Sequence, residues 1–410
     1  PNRTCMKQKI GIIGAGASGL IAAYFASHNK HTEVHIFEKQ NKIGRKVAAT
    51  GNGRCNLTNM NMGSEHYHSG DIHFVTYVLQ HFSLQDTLNF FHSIGIMTTT
   101  LENGKVYPSS LQASTVVKVF EHELSHNNVQ IHLSRKIESI QPVHHGFKVI
   151  TAGKEEHFFH KVILACGSCA YGSLGASKDG YELAQSLGHT IIEPFPAILP
   201  LNIVNKQLHT LQGIRWDCTL SVVIGNTTVQ QITDEVLFTA YGISGPAALS
   251  ISRAVNEAVL LNKDVHISCN IFPHYDMHTL RSLFAQLISQ PKKSLEFALY
   301  GIMNNKMPRV FLSMAGIPYE WPAIESFNDI DTIIQAFTRA TLYPGKPRPF
   351  TEAVVAAGGI DVNEVNPATM ESTLHKGLFI TGELLDVDGD SGGYNLQFAW
   401  STGAIAGKNV

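Results

Sequence analysis

The most constraining feature of this sequence is a glycine-rich segment close to its start. Residues 10–20 read IGIIGAGASGL, which gives Gly14, Gly16 and Gly19 the spacing GxGxxG. In this fingerprint the first glycine permits a tight turn after a strand, the second lets backbone approach a pyrophosphate, and the third lets the next helix pack close to the sheet. Glu38 follows Gly19 by 19 residues, near the ~20 expected for a carboxylate that binds an adenosine ribose. The segment predicts a dinucleotide-binding βαβ unit, with cofactor contacts from Gly14, Ala15, Gly16, Ala17, Ser18, Gly19, Glu38 and Lys39.

Composition favours an enzyme of small-molecule chemistry. The 410 residues leave room for two or three domains, and the net charge is −2, with 31 basic and 33 acidic residues mixed along the chain. That balance argues against a nucleic-acid or anionic-membrane partner. Residues 10–26 are apolar, but four glycines and the fingerprint indicate a buried strand, turn and helix. Six cysteines without a regular framework predict reduced thiols in a soluble, cytoplasmic protein.

The chain opens as α/β sequence, changes character, and then returns to it. Residues 9–13, 18–28 and 33–37 predict strand, helix and strand, and helices are predicted at 84–94 and 113–125. Residues 215–238 predict a hairpin with a turn at Gly225-Asn226, and helices follow at 278–289, 294–304 and 322–340. The predicted domains are a discontinuous cofactor domain (1–190 and 346–410), an inserted β domain (191–275) and a helical subdomain (276–345).

A second glycine-rich loop lies near the other end of the chain. Residues 377–383 predict an apolar strand ending in Gly-Glu, and residues 390–395 (DSGGYN) precede a predicted helix at 396–405. An NAD dehydrogenase needs no such second loop, whereas FAD needs an acidic group near its ribitol and a helix N-terminus at its isoalloxazine. The alternative is an acidic turn that only caps a helix. The predicted cofactor is FAD, contacted here by Gly382, Glu383, Gly392, Gly393, Tyr394, Asn395 and Leu396.

A basic, glycine-rich loop follows the ribose acid directly. Its glycines let backbone lie against a flat ligand, and Arg45 and Lys46 are predicted to neutralise pyrophosphate charge. A solvated connection is the alternative. Cys55 in this loop is interpreted as a packed thiol beside the cofactor rather than a nucleophile. The predicted cofactor contacts are Gly44, Arg45, Lys46, Gly51, Cys55, Asn56 and Leu57.

Cys166 and Cys169 form a Cys-x-x-Cys pair after the strand predicted at 161–165. A flavin-linked disulfide is the alternative considered, but this strand is expected on the adenosine side, remote from the ring. Further adenosine-side contacts are predicted from Ile137, Ala165, Cys166 and Gly167. No second Cys or His pair stands at zinc spacing, so no metal site is predicted, and His66 and His68 are expected to face solvent.

Three long segments carry a resemblance to a known family. Residues 37–59 (FEKQNKIGRKVAATGNGRCNLTN), 236–249 (VLFTAYGISGPAAL) and 366–407 resemble the BaiN/YhiN-type bacterial NAD(P)/FAD-dependent oxidoreductases, some of which are called aminoacetone oxidases. The resemblance covers essentially the whole chain. It implies a glutathione-reductase-like Rossmann FAD domain, an inserted antiparallel, barrel-like β domain and a small helical subdomain.

Two departures from the family pattern bear on chemistry. The family's histidine after Phe-Thr is Ala240 here, which leaves a histidine-dependent proton transfer at that position in doubt. Its Ala-Thr-Gly-Gly segment is replaced by residues 165–168 (ACGS), where strand-end backbone is still expected to contact the cofactor. Nearby, Tyr241 and Ser244 either edge a substrate pocket or belong to a capped packing helix that begins with Pro246 in its first turn.

These observations predict an FAD-dependent oxidoreductase that takes a hydride from a small organic substrate, an amine being one class considered. The pocket is expected between the FAD domain and the insert. Candidate catalytic residues are Arg54, Asn56, Tyr241 and Tyr394, with no base assigned. One alternative is an NAD(P)H-dependent flavin reductase of an organic acceptor, with transient nicotinamide docking, because only one fingerprint is present. Another is a non-catalytic FAD-binding sensor or scaffold. The oligomeric state stays open.

Overall fold

The computed structural model describes residues 7–290 and 292–410, which form two compact units. The first consists of the described residues up to Phe195 together with Val355–Val410, and the second is Pro196–Val354. Two separate chain segments therefore build the first unit. The predicted domain boundaries after residues 190, 275 and 345 stay predictions. Within the described ranges, no helix combines the length and apolarity needed to cross a membrane.

The strands and helices are numbered along the chain. The strands are β1 (Gln8–Ile13), β2 (Thr32–Glu38), β3 (Thr58–Asn59), β4 (Tyr67–Ser69), β5 (Thr98–Thr100), β6 (Lys105–Pro108), β7 (Gln130–Leu133), β8 (Ile137–Val143), β9 (Gly146–Thr151), β10 (Glu156–Phe159), β11 (Lys161–Leu164), β12 (Ile191–Ala197), β13 (Leu201–Asn202), β14 (Arg215–Ile224), β15 (Thr227–Thr239), β16 (Gly242–Ser244), β17 (Val265–Asn270), β18 (Ala340–Leu342), β19 (Val355–Ile360), β20 (Leu378–Ile380) and β21 (Val387–Gly389). The helices are α1 (Ala17–Ser27), α2 (Arg45–Gly53), α3 (Ile72–His81), α4 (Leu84–Ser93), α5 (Ala113–His126), α6 (Asp179–Ser186), α7 (Gly245–Leu260), α8 (Met277–Ile288), α9 (Leu295–Ala298), α10 (Met307–Met314), α11 (Ile330–Thr338) and α12 (Tyr394–Asn409).

A five-stranded parallel sheet, in the order β20-β11-β1-β2-β7, forms the centre of the first unit. Ile12 of β1 pairs with Ile36 of β2 and Ile163 of β11, and all three side chains are fully buried. Such unbroken apolar strands are typical of a parallel sheet covered on both faces. Because β20 comes from the C-terminal segment and pairs with β11, both segments of the unit complete one sheet.

A three-stranded antiparallel sheet, in the order β10-β9-β8, packs near the start of the parallel sheet. A Cβ built on Gly11 of β1 would lie 2.7 Å from the Phe159 ring of β10, so only glycine fits at that contact. The Arg135 backbone N–H donates to the Glu38 carbonyl over 2.9 Å. That bond holds the start of β8, at Ile137, close to the end of β2.

Helices α1 and α12 pack together through backbone and small side chains. A Cβ on Gly403 would lie 2.3 Å from the Ser18 carbonyl oxygen, and one on Gly407 would lie 2.4 Å from that of Ala22. Both pairs advance by four residues, so the two helices run in the same direction. The glycines are required because any side chain there would separate the helices.

The second unit contains a six-stranded antiparallel sheet in the order β13-β16-β15-β14-β17-β18. Ile224 pairs with Thr227 across the two-residue turn at Gly225-Asn226, so the predicted hairpin is confirmed. Phe238 of the sheet and Phe284 and Phe337 of the helices are fully buried in one core. The predicted fold class, a Rossmann-type α/β domain with an inserted antiparallel sheet and helices, is confirmed.

Several predicted elements differ from the structure. The loop predicted after Gly44 forms α2, with non-helical backbone at residues 50–52. Of the helix predicted at 294–304, only α9 forms, and the one predicted at 322–340 begins as a 3-10 helix before α11. Helix α10 was missed because Pro308 was not recognised as a first-turn proline. Residues 242–244 pair as β16 rather than forming a loop.

Candidate dinucleotide-binding site

The three fingerprint glycines meet three different surroundings. Gly14 has φ +108°, and a Cβ on it would lie 2.3 Å from the Ala165 carbonyl oxygen. A Cβ on Gly19 would lie 2.0 Å from the Gly14 carbonyl oxygen, whereas one on Gly16 would meet no atom within 4 Å. Gly14 and Gly19 therefore permit close packing of turn, helix and strand. Gly16 borders open space.

Helix α1 begins at that open space. Its N-cap is Gly16, and no side chain caps it. The first backbone N–H groups of a helix lack intrahelical acceptors and carry partial positive charge. Ala17, Ser18 and Gly19 supply these groups here, with Ser18 buried. An anionic group such as a phosphate is the ligand that this chemistry favours.

Glu38, at the end of β2, lies beside the glycine loop. Its carboxylate accepts the Ala15 backbone N–H over 2.9 Å through one oxygen and the Gln40 backbone N–H over 2.8 Å through the other. An ionised carboxylate has about four acceptor positions. Glu38 can thus brace the loop and still accept hydroxyl donors from a ligand.

The Lys39 side chain binds residues at the start of α6. Its ammonium donates to Ser177 and, over 2.9 Å, to Asp179, which also accepts from Lys136 over 2.8 Å. Burial opposes ionisation of Asp179, but hydrogen bonds from Lys136, Ser177 and Lys39 hold its pKa well below the ordinary value. This ion-pair network ties β2, the start of β8 and α6 together next to Ile137.

The segment after β11, residues 165–169, contacts the glycine loop. Ala165 donates its backbone N–H to the Ile13 carbonyl over 2.9 Å, and Gly167, with φ +70°, borders open space like Gly16. Cys166 and Cys169 are free thiols. Burial raises the pKa of both, to about 12 for Cys166, which disfavours the thiolate that disulfide exchange requires.

The cations of α2 are held by protein groups. Gly44, the left-handed N-cap of α2, donates its N–H to the Ala15 carbonyl over 2.8 Å. Arg45 donates to Gln40, and Lys46 pairs with Glu383 over 2.5 Å. Ser168 also donates to Glu383, over 3.2 Å. The predicted role of Arg45 and Lys46 at a pyrophosphate stays a prediction.

The end of α2 turns through left-handed backbone. Gly51 and Asn52 have positive φ, and so does Cys55, at +60°. Cys55 is fully buried, and burial raises its pKa to about 12, which agrees with a packed thiol rather than a nucleophile. The Arg54 guanidinium lies 5.1 Å from the centre of the Tyr107 ring and remains exposed.

Residues 56–59 then contact the start of α12. Asn56 is buried, and its side-chain oxygen has no hydrogen-bond partner among the described residues. Thr58 donates to Gln397 over 2.6 Å, and Trp400 donates to the Leu57 carbonyl over 3.0 Å. An unpartnered buried polar atom is costly unless a ligand or water satisfies it. Asn56 therefore indicates a missing partner near α12.

The predicted loop before α12 is built on two positive-φ glycines. Gly393, the N-cap of α12, has φ +106°, and a Cβ on it would lie 2.5 Å from the Thr58 carbonyl oxygen and 3.0 Å from Asn56 Oδ1. Asn59 donates to the Gly392 carbonyl over 2.9 Å. Asn395 exchanges hydrogen bonds with the backbone of Gly389. These hydrogen bonds tie the loop to β3 and β21, and no side chain caps the helix that follows it.

Helices α1 and α12 begin at different heights. Gly403 lies beside Ser18, α12 begins nine residues before Gly403, and α1 begins one residue before Ser18. Because the two helices are parallel, the first residue of α12 lies eight residues before the level at which α1 begins. At the α-helical rise this offset along the helix axis is about 12 Å. Two uncapped helix N-termini therefore lie at two levels along the shared helix direction. The start of α1 is called the first level and the start of α12 the second level.

Sequence reasoning missed a histidine cluster beside this loop. His66 and His68 lie 3.0 Å and 3.7 Å from the two oxygens of Asp390, and the His66 ring stacks on Tyr394 with centres 4.3 Å apart. The side chains of His66 and His68 are 30% and 40% exposed while they face Asp390, so the expected solvent orientation holds in part. Strand periodicity could not have found the pair, because His66 ends a 3-10 helix (Ser64–His66) and only His68 belongs to β4.

Tyr241 belongs to the second unit. The Arg348 guanidinium lies 3.9 Å from the centre of its ring, and the Thr239 hydroxyl accepts backbone N–H groups of Tyr241 and Gly242. Ser244 is the N-cap of α7, although its side chain makes no capping bond. Tyr241 therefore has a structural partner, while Asn56 and Tyr394 both lie at the start of α12.

Comparison with known proteins gives matches over the whole length. The family described as HI0933-like protein Rossmann domain matches residues 8–409. A Clostridium scindens protein named 3-dehydro-bile acid delta(4,6)-reductase is 38% identical over 403 residues, covering 98% of each chain. Two proteins named ribosomal RNA dihydrouridine synthase, from Haemophilus influenzae and Escherichia coli, are each 29% identical and cover 95% of both chains.

One solved structure extends the comparison to the fold. The 3-ketosteroid delta1-dehydrogenase from Sterolibacterium denitrificans matches with a TM-score of 0.52 at 11% identity, covering 98% of this chain and 99% of that chain. At this identity the likeness concerns the fold alone.

Proposed function

The chain belongs to the HI0933-like Rossmann-domain family, and on that premise we propose that it is an FAD-dependent reductase of an unsaturated organic ketone. The observation that carries the cofactor assignment is the staggered pair of helix starts at Gly16 and Gly393. FAD has a pyrophosphate and an electron-accepting ring at opposite ends of its ribityl chain. Two levels of positive partial charge suit those two ends.

The adenosine half of FAD fits the first level. Gly16 leaves the space that a pyrophosphate needs, and the N–H groups of Ala17 and Ser18 are its donors. Glu38 has acceptor positions left for ribose hydroxyls after bracing Ala15 and Gln40. Ile137, Cys166 and Gly167 belong to the same proposed contact set.

The isoalloxazine is proposed at the second level. Gly392 and Gly393 keep the start of α12 free of side chains, and Asn56 offers a buried oxygen without a protein partner. When bound, FAD supplies a two-electron hydride carrier. The N-terminus of α12 stabilises negative charge on the reduced ring. Asn56 orients the ring, and Tyr394, whose pKa is raised by burial and by Asp390, remains a neutral phenol and hydrogen-bond donor.

The reductive direction and the substrate class are supported by the relative at 38% identity, which is named for the reduction of a bile acid. The net charge of −2 also agrees with a small, uncharged or anionic organic substrate better than with a polyanion. NAD(P)H is proposed as a transiently docked electron source. Oxidation of a small substrate such as an amine stays the alternative direction. A cytoplasmic location is part of the proposal, supported by the described cysteines being free thiols.

The test begins with the cofactor. The purified protein, reconstituted with FAD, is expected to be yellow and to release FAD on denaturation, identified by chromatography. Anaerobic addition of NADH or NADPH should bleach the flavin, and a 3-oxo-4,6-diene steroid should restore the colour. Failure to bind FAD would refute the cofactor assignment. Bleaching by an amine together with no reoxidation by the steroid would refute the direction.

Reduction of uridine in ribosomal RNA is a second candidate, supported by the two relatives at 29% identity. The same anaerobic protein distinguishes it. Ribosomal RNA transcribed in vitro would restore flavin colour and acquire dihydrouridine detectable by mass spectrometry, whereas the steroid would not. The low net charge predicts the opposite result, because RNA binding draws on clustered Lys and Arg.

A further inference from the structure

Strand β6 lies against two glycine loops of the proposed ring site, one containing Gly51 and the other Gly392. The sequence pattern does not predict these contacts. Lys105 and Tyr107 alternate along β6 and so point to one face. A Cβ on Gly51 would lie 3.1 Å from the Tyr107 ring, and one on Gly392 would lie 3.7 Å from Lys105 Cε. One face of β6 therefore contacts both loops.

The Lys105 ammonium is a cation without a protein counter-ion in the described parts of the chain. Its backbone is fixed, because Lys105 pairs with Asn59 of β3 and accepts the Leu101 N–H over 2.9 Å. Its side chain is half-buried. By contrast, Lys39, Lys46 and Lys136 are all paired with carboxylates. A half-buried cation left unpaired next to a helix N-terminus favours an anionic ligand.

The neighbouring groups reinforce that charge. Asn59, the cross-strand partner of Lys105, donates to the Gly392 carbonyl, and the next residue, Gly393, is the N-cap of α12. The Arg54 guanidinium lies over Tyr107 on the same strand. The buried side-chain oxygen of Asn56 has no hydrogen-bond partner among the described residues and lies 3.0 Å from the position of a Cβ on Gly393. This oxygen independently indicates that a ligand donates a hydrogen bond beside the start of α12.

We propose that Lys105 is the residue that sets the reduction potential of the bound flavin, by placing its ammonium beside the edge of the ring that becomes negative on reduction. This inference rests on the proposed function and adds a residue to it. The ammonium and the start of α12 act on the same charge. Lys105 therefore contributes to the equilibrium between oxidised and reduced cofactor rather than to the fold.

Proximity is tested first, without turnover. The protein is acetylated with a water-soluble acetylating reagent, alone, with FAD and with ADP, and the rate at Lys105 is read by mass spectrometry. FAD should slow acetylation of Lys105 several-fold, while ADP, which fills only the adenosine half, should not. Lys118, exposed on α5, is the internal control and should react equally in all three samples. Equal rates at Lys105 with and without bound FAD, or protection by ADP, would overturn the proposal.

The electrostatic effect is tested second, by spectroelectrochemical titration at matched FAD occupancy. Lys105→Met should lower the potential because it removes the positive charge, by about tenfold in the reduction equilibrium or ~30 mV for a two-electron couple. Lys105→Arg should keep the potential near that of the wild type, and Lys118→Met should leave it unchanged. A Lys105→Met protein that holds FAD at the wild-type potential overturns the inference. Wild-type protein that binds no FAD would instead refute the proposed function.

Discussion

At the scale of single residues, the fingerprint glycines share a motif but not a structural task. Gly19 has no room for a side chain, whereas Gly16 borders open space and has an ordinary backbone conformation. Substitutions at these two positions therefore separate packing from ligand binding.

We expect Gly16→Ala to leave the unfolding free energy of the protein without FAD nearly unchanged and to weaken FAD binding about tenfold, or ~1.4 kcal/mol, because its methyl group occupies the pyrophosphate space. Gly19→Ala should destabilise the protein itself by about 1–3 kcal/mol through overpacking against the Gly14 carbonyl. Thermal unfolding and FAD titration measure the two effects. Equal losses in both assays for both variants would contradict the assignment.

Glu38 has a double role that the sequence did not indicate. Since it accepts two backbone N–H groups as well as the proposed ribose, Glu38→Ala should lower both FAD affinity and the stability of the cofactor-free protein, each by about 1–3 kcal/mol. Glu33→Ala, on the same strand, is the matched control and should leave FAD affinity unchanged. Unaltered FAD affinity in Glu38→Ala would remove Glu38 from the site.

At the scale of elements, the site depends on the register between α1 and α12. Their contact is set by backbone against backbone at Gly403 and Gly407. A shift along this contact would change the offset between the two helix starts, and hence the distance between the proposed phosphate and ring positions.

Gly403→Ala is expected to destabilise the protein by about 1–3 kcal/mol, because its Cβ would lie 2.3 Å from the Ser18 carbonyl oxygen. Gly153→Ala, in an exposed turn with ordinary contacts, is the control and should have little effect. Chemical denaturation monitored by circular dichroism compares them. A Gly403→Ala protein as stable as the wild type would show that the helices can separate without cost.

The network at the start of α6 gives an acid dependence. The pKa of Asp179 is lowered in the folded protein, so its interactions stabilise the fold above the ordinary pKa near 3.8 and are lost as the pH falls through the folded value. Asp179→Asn should cost roughly 1 kcal/mol at pH 7. The difference between variant and wild type should shrink below about pH 4. Denaturation across pH 2.5–7 measures it, and a difference independent of pH would contradict the lowered pKa.

At the scale of the whole molecule, the chain divides into two units with their own secondary structure and cores. Family membership confirms the predicted identification as a flavoprotein oxidoreductase of the BaiN/YhiN type. The second unit begins and ends at neighbouring positions, because Val354 donates its backbone N–H to the Ile198 carbonyl over 3.0 Å.

We therefore expect the first unit to fold and bind FAD when Pro196–Val354 is replaced by a short Gly-Ser linker, since every proposed FAD contact belongs to that unit. Substrate-dependent reoxidation should be lost if the second unit contributes to substrate recognition. Flavin fluorescence on titration with FAD measures binding. A linker protein that folds, by circular dichroism, but binds no FAD would contradict the assignment of the site to the first unit.

The sequence by itself determined the parts whose signal is local. The turn at Gly14 to Gly19, the buried strands beside it and the hairpin at Gly225-Asn226 each follow from short-range backbone and periodicity rules, and the structure contains them. The second glycine loop before α12 was also found in the sequence, because its glycines and the following apolar helix are contiguous. Its role at a flavin stays a proposal.

Only the tertiary structure decided which distant side chains meet. Lys105 lies 287 residues before Gly392 in the sequence, yet pairing of β6 with β3 brings the two residues close together. Lys46 and Glu383, and His66 and Asp390, are paired in the same way across the chain. No periodicity encodes such pairs, because sheet order and helix register set them. The positions of the charged side chains around the proposed cofactor site are therefore set by tertiary packing. The backbone turn proposed to bind the phosphates follows from the spacing of Gly14, Gly16 and Gly19 in the sequence.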